Sequence, residues 1–131
     1  MAKSLPETLV EITTACQSVL QNVVILRQEV DAKRVLLHLR GDYHDHQIYL
    51  REIILADGLR KYAYYVIRAG IVIAGFDNAP DSMALRLKYG PAYSEHRLEA
   101  IPHFHGHNKQ TVELTAEMDY QAFLHWLEQN L

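Results

Sequence analysis

Tyr62-Ala63-Tyr64-Tyr65-Val66-Ile67-Arg68-Ala69-Gly70-Ile71-Val72-Ile73 is the stretch whose reading decides the fold. Branched and aromatic residues fill it, as a half-buried pleated surface favours, and Ala69-Gly70 interrupts it where a tight turn fits. Two strands joined by so short a link must run antiparallel, because a parallel crossover needs about a dozen residues. The same texture extends upstream. Val23-Val24-Ile25-Leu26, Val35-Leu36-Leu37-His38-Leu39, Gln47-Ile48-Tyr49-Leu50 and Ile53-Ile54-Leu55 are separated by Asp31-Ala32-Lys33 and Gly41-Asp42, and Asp57-Gly58 precedes Tyr62. The region from Val23 to Phe76 thus reads as an antiparallel meander of about five strands. Asp77-Asn78-Ala79-Pro80-Asp81 ends it in a turn, since Asp and Asn bond their own backbone and proline cannot extend a central strand.

The flanks carry a different period. Ser4-Leu5-Pro6-Glu7 has the capping-box form, and Leu5, Leu9, Ile12, Cys16, Val19 and Val23 recur at steps of three and four, predicting a helix over Leu5–Leu20. Tyr120, Phe123, Leu124, Leu127 and Leu131 predict a second helix over Asp119–Gln129, capped by Thr115 or Asp119. Residues 82–100 read as irregular, broken at Gly90-Pro91, and 101–107 with 111–114 as one more strand or hairpin. The expected fold is a single α+β domain over 1–131, with an antiparallel sheet of five to six strands and both terminal helices packed on one face. Leu9, Ile12, Cys16, Val19, Ile48, Leu50, Val66, Ile73, Phe123, Leu124 and Leu127 are the expected core.

The 131 residues suit one domain, and 49% apolar with 22% charged residues is a globular composition, not a disordered one. The lone Cys16 excludes a disulfide framework and a multi-cysteine zinc site. With no leader pattern and no apolar run of ~18 residues, the sequence reads as soluble and cytoplasmic, without a membrane partner. Thirteen Lys+Arg against sixteen Asp+Glu gives −3, which argues against a nucleic-acid coat protein but leaves room for a local basic cleft. No Walker loop, Rossmann glycine fingerprint or Gly-x-Ser-x-Gly elbow is present, so nucleotide hydrolysis and serine-hydrolase chemistry lose support.

The unusual number is eight histidines. In Pro102-His103-Phe104-His105-Gly106-His107, strand alternation would place His103, His105 and His107 on one face. Such a row can hold a metal, transfer protons near neutral pH or bind phosphate; the bland alternative is a solvated polar strand face. A His-x-His strand is similar to the first cupin motif, but the next carboxylate is Glu113 and no second motif follows. A metal site borrowing His96, Asp77 or His125 is an alternative; with no carboxylate at local spacing, the expectation is no resident metal and no cofactor. His44 and His46 read as a solvated hairpin tip, His38 as half-buried and His125 as a packing residue. Tyr62, Tyr64 and Arg68 would share one strand face and Tyr65 and Ile67 the other; aromatics beside an arginine can stack bases and neutralise phosphates, or simply stabilise a sheet.

Taken together, Tyr62-Ala63-Tyr64, Phe76-Asp77-Asn78-Ala79-Pro80 and Pro102-His103-Phe104-His105 resemble the TumE-like toxins, the toxin half of small prokaryotic toxin–antitoxin pairs. The resemblance runs from about Val35 to His107. Where that family commonly has an arginine before the turn aromatic and a histidine after the proline, this chain has Gly75 and Asp81. The resemblance implies a cognate antitoxin partner, and analogy with other small toxins adds an RNA target; a homo-oligomer is left open. The corresponding reading is a metal-independent ribonuclease. His103 and His105 would be acid and base, Arg68 the charge stabiliser and Tyr64 a base- or phosphate-positioning group, with Asp77, Asn78 and His107 orienting groups or substrate. The alternatives are a non-catalytic protein-binding module and a His-ligated metal protein of cupin-like character.

Overall fold

The computed structural model describes residues 3–131. Helix α1 spans Leu5–Val19, with the Ser4 hydroxyl accepting from the Glu7 N–H and Pro6 in the first turn. Seven strands follow: β1 (Gln21–Val30), β2 (Arg34–Tyr43), β3 (His46–Leu55), β4 (Arg60–Arg68), β5 (Ile71–Asp77), β6 (His103–His105) and β7 (Val112–Leu114). Each pairs antiparallel with its neighbour in sequence, giving one sheet in the order β1 to β7. Helix α2 (Ser82–Tyr89) and a 3-10 segment (Gly90–His96) lie between β5 and β6, and α3 (Tyr120–Asn130) closes the fold. The α+β meander is as the sequence indicates, with one or two more strands. Among the described residues, no helix is long and apolar enough to cross a membrane.

Turn chemistry sets the register. Ala69 and Gly70 both take positive φ, 50° and 77°, the conformation a two-residue hairpin needs at both central positions. Gly41-Asp42, read as a break, lies inside β2, and the turn falls at His44-Asp45 instead. The glycine serves close packing: a Cβ at Gly41 would stand 3.0 Å from the Leu20 Cβ. Ile53-Ile54-Leu55 continues Gln47–Leu50 as the single ten-residue β3.

One face of the sheet is dry. Val35, Leu37, Leu39, Ile48, Leu50, Tyr62, Tyr64, Val66, Ala74 and Phe76 pack beneath Leu9, Ile12 and Cys16 of α1 and Phe123, Leu124 and Leu127 of α3. Nine of the eleven expected core residues are buried, while Val19 and Ile73 are half-buried. Tyr64 lies between Tyr62 and Phe123, with near-parallel rings and centroids 5.1 and 5.0 Å away. Buried in this face is Glu52, which accepts hydrogen bonds from the Tyr64 hydroxyl and from Arg60 Nη2. Burial, the largest influence, lifts the Glu52 carboxyl above its ordinary value, against the opposing pull of Arg60 and Tyr64.

The second face differs from the expectation. Residues 82–100, read as irregular, hold α2, whose cap is Asp81: its carboxylate accepts from the Ala84 N–H. Ala84 and Leu85 pack with Ile101 and Val112 into a small satellite core. An eight-residue helix with only two buried apolar positions leaves little periodicity to read. His125 faces solvent on α3 and is not a packing residue.

Candidate functional site

Strand register brings the site together. Side chains of directly paired residues lie on one face, so two rows cross the open side of the sheet. One row is Tyr49–Tyr65–Gly75–His105, the next His38–Arg51–Ala63–Asp77–His103, on strands β2 to β6. Ala63 and Gly75 are the small members. Over Ala63 lies a trough of about 730 Å³, lined by His38, Tyr49, Arg51, Lys61, Tyr65 and Lys109 among others and by Asp77, while the Tyr65 ring covers Gly75.

Asp77 is held from two sides. The Tyr65 hydroxyl donates to Oδ2 at 2.7 Å and the Ala79 N–H to Oδ1 at 2.9 Å. Opposite it in the ladder, His103 lies 3.3 Å from Oδ1 through Nε2, and His105 Nε2 lies 3.6 Å from Oδ2. The two Nε2 atoms are 3.0 Å apart, and the Ile101 carbonyl stands 2.6 Å from His103 Nδ1. That carbonyl can only accept, so Nδ1 carries a proton and Nε2 is the ring atom turned toward the group. Asp81 Oδ2 stands 3.9 and 4.0 Å from the two Nε2 atoms. His103 is 1% exposed and His105 8%. Burial first, and then the neighbouring His103, lower the pKa of His105 and favour the neutral ring. His105 Nδ1 is buried without a hydrogen-bond partner. Among the described residues, Asp77, His103 and His105 are the one His/Cys/Asp/Glu group whose ligand atoms all lie within 4.8 Å of one another.

Gly75 and Asp81, where the sequence departs from the TumE-like pattern, both bear on this site. A Cβ at Gly75 would fall 2.5 Å from Tyr65 Cδ1, so only glycine lets the Tyr65 ring cross β5 to reach Asp77. Asp81 contributes an oxygen that a histidine would not.

The other expected site residues divide. Asn78 shapes the turn: its side chain accepts from the Tyr62 N–H and donates to the Arg60 carbonyl, continuing the ladder where β5 ends. His107 does not join the row, because the chain leaves β6 after His105 and enters a short 3-10 turn, leaving His107 exposed. Tyr64 lies on the opposite, dry face, in phase with Tyr62 and Val66. Arg68 is at the wrong end of β4: it pairs with Ile71 whereas Asp77 pairs with Ala63, a separation of about 17 Å along the strand. It faces solvent near Asp45 at 3.8 Å. His96 stacks on Tyr89 with centroids 3.7 Å apart. The expectation of no metal rested on the lack of a carboxylate at local spacing; the neighbouring strand supplies Asp77, so that reason falls. A single meander is also not the two-sheet jelly roll of a cupin.

Tyr49, Arg51, Tyr65 and Lys109 are the residues that sequence reading missed. Lys109 reaches its place through a strained loop, with φ of 53° at Asn108 and 58° at Lys109. Its ammonium stands 4.8 Å from the Tyr65 ring centre, within cation–π range. Comparison with family patterns, curated proteins and solved structures found no match.

Proposed function

We propose that this chain binds single-stranded RNA on its open sheet face and cleaves a phosphodiester at the Asp77–His103–His105 group, as the toxin of a TumE-like toxin–antitoxin pair. One observation carries the reading: the trough and the group share one face and meet at Asp77. Tyr49 and Tyr65 offer rings for stacking unpaired bases. Arg51, Lys61 and Lys109 place three cations along the trough, so its local charge is opposite to the chain's net −3. The two stretches behind the resemblance, Phe76–Pro80 and Pro102–His105, lie side by side through the β5–β6 pairing. The charge-stabilising role given to Arg68 passes to Lys109. His103, whose Nδ1 is fixed by the Ile101 carbonyl, orients the group, and His105 is the less buried of the two rings.

The test is cleavage of a fluorescein-labelled single-stranded RNA, together with growth after induced expression. Wild type cleaves and arrests growth. His105→Gln loses at least ~100-fold in rate and permits growth, and Lys109→Ala weakens binding and flattens its salt dependence. Wild type that leaves RNA intact overturns the reading. A binding module without catalysis is the second reading, and β1 favours it. Val24, Ile25, Leu26 and Val30 are about two-fifths exposed on this edge strand, where an antitoxin could add a strand. Wild type that captures an antitoxin but leaves RNA intact selects it.

A further inference from the structure

We infer that Asp77, His103 and His105 hold one divalent transition-metal ion, with Asp81 as a fourth ligand. Donor atoms about 2.1 Å from a common ion stand about 3.0 Å apart at right angles and about 3.4 Å apart at the tetrahedral angle. Here the two imidazole Nε2 atoms stand 3.0 Å apart, and each faces a different oxygen of Asp77, His103 at 3.3 Å from Oδ1 and His105 at 3.6 Å from Oδ2, and one donor atom from each of the three residues lies within 4.8 Å of the others. Asp81 Oδ2, at 3.9 and 4.0 Å from the imidazoles, needs only a side-chain adjustment to close a fourth position.

The surroundings are those of a ligand set. His103 Nδ1–H donates to the Ile101 carbonyl, which fixes the tautomer with Nε2 free to ligate. The Tyr65 hydroxyl and the Ala79 N–H orient the Asp77 carboxylate, the supporting shell that metal-bound carboxylates have. Charge points the same way. No Lys or Arg pairs with Asp77 or Asp81 among the described residues, although Asp77 is nearly buried. A divalent cation balances the two carboxylates, where an unpaired buried charge is costly. Two imidazoles with carboxylate oxygens select zinc, iron(II), manganese or cobalt over magnesium or calcium. His103 and His105 are the buried members of the set and Asp81 the more exposed one, while Asp77 also borders the trough. An ion there can activate a water or a 2′-hydroxyl and polarise a phosphate oxygen. The ion site stands on the cluster's geometry and does not depend on the RNA reading.

The experiment is a titration of the chelator-stripped full chain with zinc chloride by calorimetry, repeated with cobalt(II) by visible absorption. One equivalent is expected to bind with a dissociation constant in the micromolar range or tighter. The cobalt form is expected to show the intense d–d bands of a low-coordinate nitrogen–oxygen site. His105→Gln and Asp77→Asn lose at least ~100-fold in affinity, Asp81→Asn ~10-fold or more, and His125→Ala on α3 loses none. Circular dichroism of each stripped variant confirms folding, and zinc raises the melting temperature of wild type but not of folded His105→Gln. Absent or substoichiometric binding by wild type, or binding unchanged in folded His105→Gln, overturns the site. Because the readout is binding, this result is separate from whether RNA is cleaved.

Discussion

Replacing Arg60 by methionine tests how the dry face tolerates a carboxylate. Glu52 is fully buried and its cation is Arg60, which donates through Nη2 to both oxygens at 3.2 Å and to the Tyr64 hydroxyl at 3.0 Å. Arg60 Nη1 also donates to the Met118 carbonyl at 3.1 Å. Removing one partner of a buried pair costs ~3–5 kcal/mol. Arg60 is 21% exposed at its side chain, so water reaches part of the gap and the lower end, ~3 kcal/mol, is expected. For a chain of this size that is a fall of about 10 °C in Tm. The sign with pH follows from burial. Glu52 has a folded pKa raised above its unfolded value, so stability from its protonation is complete below the unfolded pKa and is lost as pH rises through the folded one. Without Arg60 that window extends upward, and the cost of Arg60→Met is larger at pH 8 than at pH 5. In the Glu52→Gln background the pH dependence of the cost disappears. Urea denaturation of the four proteins at both pH values closes the cycle. A cost below ~1 kcal/mol at pH 8, or an equal cost at pH 5 and pH 8, refutes the reasoning.

Leu124→Ala is expected to cost ~2–5 kcal/mol in the same assay, since Leu124 is 4% exposed under the sheet; a change below ~0.5 kcal/mol would place it on the surface. The Cys16 thiol is pushed up to about 12 by burial, so a disulfide reagent at pH 8 leaves it unmodified in native protein and modifies it fully in guanidinium. Gly75→Ala drives the Tyr65 ring off β5 and is expected to mimic Tyr65→Phe by weakening zinc binding ~10-fold or more; unaltered zinc affinity in both variants would show that the Tyr65–Asp77 bond does not hold the carboxylate.

The elements were legible where local chemistry and pattern agree. The Ser4 cap, the Asp57-Gly58 and Ala69-Gly70 turns and the spacing of Phe123, Leu124 and Leu127 each impose one conformation, and the structure has it. The histidine pair was legible too, because alternation over three residues survives into β6. Which face of β4 borders the open trough was not. Tyr64 and Tyr65 are equally aromatic, and the choice depends on Glu52 entering the dry face opposite Tyr62, a pairing between strands that no single segment encodes. One signal was available: Val35, Leu37 and Leu39, then Ile48 and Leu50, keep one parity through the hairpins, and the same parity assigns Tyr62, Tyr64 and Val66 to the core. Asp77 beside the histidines required the β5–β6 register, set across 25 residues containing α2. Lys109 required a left-handed loop that composition does not announce.

The central claim, that the trough and the Asp77–His103–His105 group form one RNA site, is tested most directly by NMR. A 2′-O-methyl single-stranded oligoribonucleotide, which cannot be cut at the 2′-oxygen, is titrated into labelled protein. Resonances of Tyr49, Tyr65, Lys109 and His105 are expected to shift together along one binding curve, with β1 and α1 unmoved. Shifts confined to β1, or none at RNA concentrations approaching millimolar, would contradict the account.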